Sequence, residues 1–403
     1  MDSHEIAILA AVVLLYGLAS KRLNAGFVTL PLAFAGAGFL LGDGGLGVLV
    51  MHPGNGSVHL LAELTLVLLL FSDATRLDIR TLAAERGIAL RMLLLGLPFA
   101  VLIGAGLAAA LFPAMGLAPA FLLAAILAPT DAALGQAVVA SPQVPGRIRQ
   151  LLAAESGLND GLALPAVVGF AIWAGAASKG LNGPADILEF AALQILLGPL
   201  VGAAAAAAGG WLLDRAILRG WVVETFEGVA ILAIALLAFA LAETLGGNGF
   251  LAAFTGGVVL GWTVRHRCGR LLDFMETEGQ ILTLFAFLLF GSTMLPAALE
   301  HVSPAVLLYA LASLLVVRIA AIALSLTRSG LDVSSKLFLG WFGPRGLASI
   351  LFALLILEEY RVPGREAIHA CVMLTVALSV LLHGISAAPL ARIFGDSRGD
   401  AAN

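Results

Sequence analysis

The chain has 403 residues, 60% hydrophobic and 12% charged, with a mean hydropathy of +1.02 and a formal net charge of −4. A soluble domain carries about 25% charged residues, so this composition excludes a soluble protein and indicates an all-α polytopic membrane protein. The charge balance offers nothing to a nucleic acid, and two cysteines, Cys268 and Cys371, make no disulfide framework.

Thirteen apolar segments follow one another, near 5–20, 27–42, 57–76, 87–112, 117–140, 148–175, 184–212, 222–243, 248–264, 277–299, 304–327, 335–357 and 366–391. Asp2 and Glu5 precede the first apolar core and Lys21 and Arg22 follow it, the reverse of a cleavable signal. That order puts the N-terminus outside. With thirteen crossings the C-terminus is then cytoplasmic, and 17 of the 22 Lys and Arg fall in inside loops. Only Lys179, Arg361 and Arg365 fall outside, while Arg318 and Arg345 lie within segments. This bias follows the positive-inside rule. The short tail after the last segment gives no expectation of a soluble regulatory domain, so residues 1–403 read as a single transmembrane domain.

The fifth segment, AILAPTDAALG, and the twelfth, GWFGPRGLAS, are each interrupted by proline beside small or polar residues. Seven segments separate them, so they cross in opposite directions. Two inverted six-helix repeats, about 1–176 and 222–394, with 184–212 as a linker helix, account for that relation. Matching interruptions in inverted halves point to a transport site at the midplane.

Pro129 lacks an N–H, clashes with the carbonyl four residues back and pushes Ala128 out of helical geometry. Carbonyls near Ala125 and Ala128 should therefore lose their partners, beside Thr130 and Asp131. Main-chain carbonyls, a hydroxyl and a carboxylate are hard oxygen ligands, suited to a small monovalent cation. In the sixth segment, ESGLNDG, the pairs Glu155/Asn159 and Ser156/Asp160 are each four residues apart and share adjacent helix faces. A carboxylate at membrane depth costs about 2.5–3.5 kcal/mol on insertion scales, so Asp131, Glu155 and Asp160 are expected to serve a function. Asp73, near the inner end of the third segment, is a fourth acid, or an ordinary interfacial one beside Arg76. Glu155 pairs with Arg318 or Arg345. Arg345 can instead offset the negative end of a half-helix or face Asp131. The remaining surplus of negative charge suits a proton or one cation.

Weaker features have plainer readings. His369 and His383 read as packed, hydrogen-bonded histidines, with pH sensing as the alternative. The run Ala203–Ala208 reads as close helix packing, and Glu63, Glu227 and Glu243 as side chains reaching water from helix ends.

The TD pair in a broken fifth segment, the ES-x-x-ND element in the sixth and the G-x-RG break in the twelfth together resemble the NhaP-type monovalent cation:proton antiporters, relatives of the eukaryotic sodium/proton exchangers. The resemblance covers essentially the whole chain. It implies two broken helices crossing beside the sixth segment. It implies that Asp160 exchanges proton for cation, with Ser156, Asp131 and the main chain at Thr130 as ligands. Asn159 stands where electrogenic relatives carry a second aspartate, which implies one cation for one proton. Glu155 with an intramembrane arginine resembles the family's buried ion pair. Asp73 is similar in placement to an acidic ligand that is glutamate in some members. The resemblance also implies a homodimer and alternating access, with a six-helix core moving against a dimerisation domain.

The resulting expectation is a secondary-active, electroneutral Na+ (or Li+)/H+ antiporter in a bacterial inner membrane, with the lipid bilayer as its surroundings. K+/H+ exchange on the same scaffold is the nearest alternative, and a sodium-coupled solute symporter the alternative from another class. No nucleophile–base or metal-cofactor pattern appears, so neither an enzyme nor a cofactor is expected beyond the transported Na+ (or other monovalent cation) and H+.

Overall fold

A computed structural model describes residues 3–24, 28–49, 56–75, 86–263 and 269–399. Asp2, Arg76, Arg80, Arg265, Arg267 and Cys268 lie outside the described residues, as do the side chains of Arg86, Arg270 and Arg398. In order the helices are α1 (Ser3–Asn24), α2 (Leu30–Leu41), α3 (Gly56–Thr75), α4 (Arg86–Arg91), α5 (Leu97–Leu111), α6 (Leu117–Ile126), α7 (Ala132–Val139), α8 (Gly146–Ala174) and α9 (Pro184–Leu218). There follow α10 (Glu224–Thr244), α11 (Gly249–Thr263), α12 (Gly269–Leu289), α13 (Leu295–Leu299), α14 (Pro304–Ala312), α15 (Arg318–Ser325), α16 (Val333–Trp341), α17 (Leu347–Glu359) and α18 (Arg365–Gly399). No strand occurs among the described residues.

Single π-helical turns at Met92–Gly96, Phe290–Met294 and Ser313–Val317 join α4 to α5, α12 to α13 and α14 to α15. With α6/α7 and α16/α17 taken as broken pairs, the helices fall on the thirteen predicted segments in order. Among the described residues nine helices are long and apolar enough to cross a membrane, by length and composition. Shorter apolar helices, including α2, α6 and α11, complete the bundle.

An apolar helix surface gains nothing by leaving lipid for another apolar surface, so close approach through small residues has to supply the packing. Gly202 of α9 lies against the main chain of Ala252 in α11, and Gly257 of α11 against Phe71 of α3. The alanine run takes part only through Ala206, which is fully buried, while Ala204, Ala207 and Ala208 face outward. The outer faces of α1 and α9 carry Leu14, Leu15, Leu18, Leu200 and Trp211, all exposed.

Helix α3 sets out the long axis of the functional region. Near its start His59 and Glu63 line one cavity, of about 690 Å3. Near its end Ser72 and Asp73 line another, of about 590 Å3. Between them Leu66, Leu70 and Phe71 are buried. A further close contact lies on neither wall. Gly161 of α8 faces the ring of Phe254 of α11, which fills the space a Cβ would need.

Candidate functional site

Two interruptions in the helical ladder create the site, at 127–131 between α6 and α7 and at 342–346 between α16 and α17. Each leaves main-chain groups without helical partners, at a depth where no water replaces them. The two breaks satisfy one another. Asp131 N–H donates to the Pro344 carbonyl at 2.8 Å. The Asp131 carboxylate caps both following half-helices. Its Oδ1 accepts from Ala133 N at 2.7 Å and Leu134 N at 3.3 Å, and its Oδ2 from Leu347 N at 2.7 Å. A carboxylate between two helix N-termini is held by main-chain N–H groups and both helix dipoles.

The C-terminal end of α6 is closed from the other chain segment. Arg345 Nη1 donates to the carbonyls of Ala128 at 3.1 Å and Pro129 at 3.2 Å, and Ser349 Oγ to that of Ile126 at 2.7 Å. Of the two carbonyls expected to be orphaned, only Ala128 needs a side-chain partner. That of Ala125 accepts from Ala128 N at 3.2 Å in a tightened last turn. The glycines of the GPRG stretch explain their positions. A Cβ at Gly346 would occupy the space of the Asp131 carboxylate, and one at Gly343 that of the Arg318 guanidinium.

The partner of Glu155 is Arg318. Nη1 meets Oε1 and Nη2 meets Oε2, both at 2.6 Å, and both side chains are about 1% exposed. This bidentate geometry is the strong form of an arginine–carboxylate contact. Arg318 is the first residue after the π turn Ser313–Val317, and such turns shift the direction of the side chains that follow. Arg345 takes the half-helix role and leaves Glu155 to Arg318.

One turn further along α8 the environment changes. Asn159 Nδ2 donates to Thr130 Oγ1, and Thr130 Oγ1 lies 3.2 Å from Ser156 Oγ. Asp160, 7% exposed, has no basic partner within ion-pair distance among the described residues, and its Oδ1 accepts no hydrogen bond from them. Asp160, Asp131, Ser156 and Asp73 all line the cavity of about 590 Å3. Its wall extends to Ala89, Val139 and Gln150, at the end of the bundle where α8 begins. Thr130 and Asn159 sit behind that wall, holding the helix break against α8. The structure thus brings together five of the predicted residues, Thr130, Asp131, Ser156, Asn159 and Asp160. Asp73 lines the same cavity from α3.

Carboxylate and hydroxyl oxygens at one cavity end, with the Asp160 charge answered by no cation among the described residues, can hold a proton or a small cation and release it to the cavity. Such a set has no attraction for an anion. Sequence reading missed the main-chain N–H of Leu347 and the hydroxyls of Ser349 and Ser379. Ser349 is the one serine of α17, a signal the sequence did offer, whereas Ser379 is one of several polar residues in α18. Glu243 is exposed, as read from the sequence, and it also accepts from Gly249 N at 2.6 Å and lines the other cavity with Glu63, Glu358 and Glu359. Glu359, at the end of α17, is exposed and lies 3.7 Å from Lys179.

Residues 7–393 match the family model described as sodium/hydrogen exchanger, transmembrane. A protein of Shewanella sp. (strain MR-4) named K(+)/H(+) antiporter NhaP2 is 27% identical over 391 residues, covering 96% of this chain and 66% of that protein. This chain thus spans about two thirds of the length of that relative. The Na(+)/H(+) antiporter NhaP of Pseudomonas aeruginosa is 28% identical over 342 residues, covering 80% of this chain and 78% of that one. In fold the chain is similar to the sodium proton antiporter MjNhaP1 from Methanocaldococcus jannaschii, with a TM-score of 0.76, 19% identity and 97% of each chain covered.

Proposed function

This chain belongs to the sodium/hydrogen exchanger family, and from that premise we propose that it is an electroneutral Na+ (or Li+)/H+ antiporter that moves one cation against one proton. The observation that carries the proposal is Asp160. It is a buried carboxylate at the end of a cavity, with one oxygen unpartnered and its charge answered by no cation among the described residues. A proton and a cation compete for that charge. Ser156, Asp73 and the remaining lone pairs of Asp131 complete the ligands, and Thr130 contributes its main chain. Asn159 cannot titrate, which supports a single exchanged charge. Glu155 and Arg318 neutralise each other and take no part in exchange.

The cavity that reaches Asp160 opens at the end of the bundle that charge distribution assigns to the cytoplasm, so this is the inward-facing form. The N-terminus is outside and the C-terminus inside, in a bacterial inner membrane. A six-helix core, drawn from both inverted repeats, moves against a dimerisation domain whose exposed apolar faces pair two copies as a homodimer. Relatives named for potassium and for sodium are both similar to this chain, so K+/H+ exchange is the second reading.

The test uses purified protein in liposomes carrying a pH gradient, with the voltage clamped by potassium and valinomycin or left free. Addition of Na+ or Li+ should collapse the gradient irrespective of clamping, and Asp160→Asn should abolish the response. Collapse by K+ alone changes the cargo and keeps the mechanism. No response to any of these cations from folded protein overturns the antiporter reading.

A further inference from the structure

Two crossing breaks have four half-helix ends. The Asp131 carboxylate caps the N-termini of α7 and α17, and Arg345 with Ser349 closes the C-terminus of α6. The fourth end, the C-terminus of α16, points its Trp341 carbonyl at α18. There His383 Nε2 lies 2.8 Å from that oxygen. A carbonyl only accepts, so Nε2 carries the proton. The other ring nitrogen, Nδ1, lies 2.9 Å from the Ser379 carbonyl and 3.2 Å from Ser379 Oγ. A hydroxyl that donates to Nδ1 keeps its lone pairs, and Ser379 Oγ accepts from Arg345 N at 2.7 Å. Ser379 and His383 are one turn apart on α18, fully and almost fully buried, so they present one polar edge to the break. The indole of Trp341 stacks on the imidazole at 4.7 Å between ring centres and donates to Ser386 Oγ at 3.0 Å.

The two ends of the second break are therefore held by a single turn of α18, through Trp341 on one side and Arg345 on the other. Arg345 passes the constraint to the first break through the Ala128 and Pro129 carbonyls. Two residues further on, Leu347 passes it to Asp131. Ser379 and His383 do not line the cavity themselves, whereas Leu347 and Asp131, where the linkage ends, do. We propose that His383, acting through Ser379, is a positioning residue for the cation site: it fixes the width of the α16–α17 break and hence the placement of Arg345 and Asp131.

This inference rests on the exchange activity proposed above. The experiment measures Na+/H+ exchange in liposomes for the native chain, His383→Leu, His383→Gln, Ser379→Ala and the double variant His383→Leu/Ser379→Ala, with a thermal melt of each. A native chain that exchanges no cation overturns the antiporter reading itself. Given native exchange, a buried network that loses one hydrogen bond predicts about a tenfold rise in half-saturating Na+ for His383→Leu. The maximal rate should change much less. His383→Gln restores a donor to the Trp341 carbonyl and should recover most of the affinity. Ser379→Ala should weaken binding similarly, and the double variant should be no worse than the worse single one, because both cut one linkage. Native-like half-saturation in His383→Leu overturns the proposal. So does a loss that His383→Gln does not recover, or a fall in maximal rate alone that tracks lost thermal stability.

Discussion

Glu155 and Asp160 are both buried carboxylates on α8, little more than one turn apart, and they have opposite fates. Glu155 is locked to Arg318 by two contacts of 2.6 Å, so its charge is answered inside the protein. Asp160 faces a cavity with an oxygen that no group among the described residues satisfies. The lesson is that burial alone does not mark a working acid. A buried charge whose partner is covalently part of the fold is architecture, and one whose partner must arrive from solution is available for exchange.

Substitutions at these positions should separate the two roles. The largest effect expected is on activity, at Asp160. Asp160→Asn should end exchange entirely and melt no lower than the native chain, since it removes an unanswered buried charge. A melting point well below native would mean that Asp160 is structural too, and the contrast would dissolve. Next comes Glu155→Gln, which strands a buried guanidinium and should cost about 3–5 kcal/mol of stability. A thermal or denaturant melt in detergent reads this directly. Replacing the pair by apolar residues, Glu155→Leu with Arg318→Met, should recover most of that loss, because neither charge is then left alone. If the double variant were as unstable as the single one, the pair would be doing more than neutralising itself. The smallest effect is expected at Gly161, beside the working acid. Gly161→Ala drives a methyl group into the Phe254 ring and should cost about 1–3 kcal/mol, the range for overpacking. Phe254→Leu in the same chain should relieve part of it, and a fully native melt for Gly161→Ala would show that the ring moves aside freely.

Which parts of this could be read from the residues follows from what each rests on. The thirteen segments depend on apolar length and on the placement of Lys and Arg, both local, and the helices fall where those signals put them. Pro129 and Pro344 announce the breaks because proline acts on its own backbone. Ser156 and Asp160 share a wall because four residues is about one turn. What spacing does not give is contact between distant segments. Arg318 and Arg345 are both deep bases, and only the fold shows that one meets Glu155 while the other reaches the Ala128 carbonyl. The acceptance of Leu347 N by Asp131 was out of reach for the same reason, since a main-chain donor has no letter in the sequence. The π turn before Arg318 was also silent, because its composition is that of any apolar helix.

The two cavities bear on how far anything must travel. Along α3, Glu63 belongs to one wall and Leu68 to the other, five residues apart. At about 1.5 Å of rise per residue, this is a partition of about 8 Å, in a bilayer whose hydrocarbon is about 30 Å thick. Most of the electrical drop across the membrane would then be compressed into that short interval. A carrier built this way needs only a short stroke: shifting the partition by a couple of helical turns past Asp160 transfers the ion from one bath to the other, while the rest of the protein stays where it is.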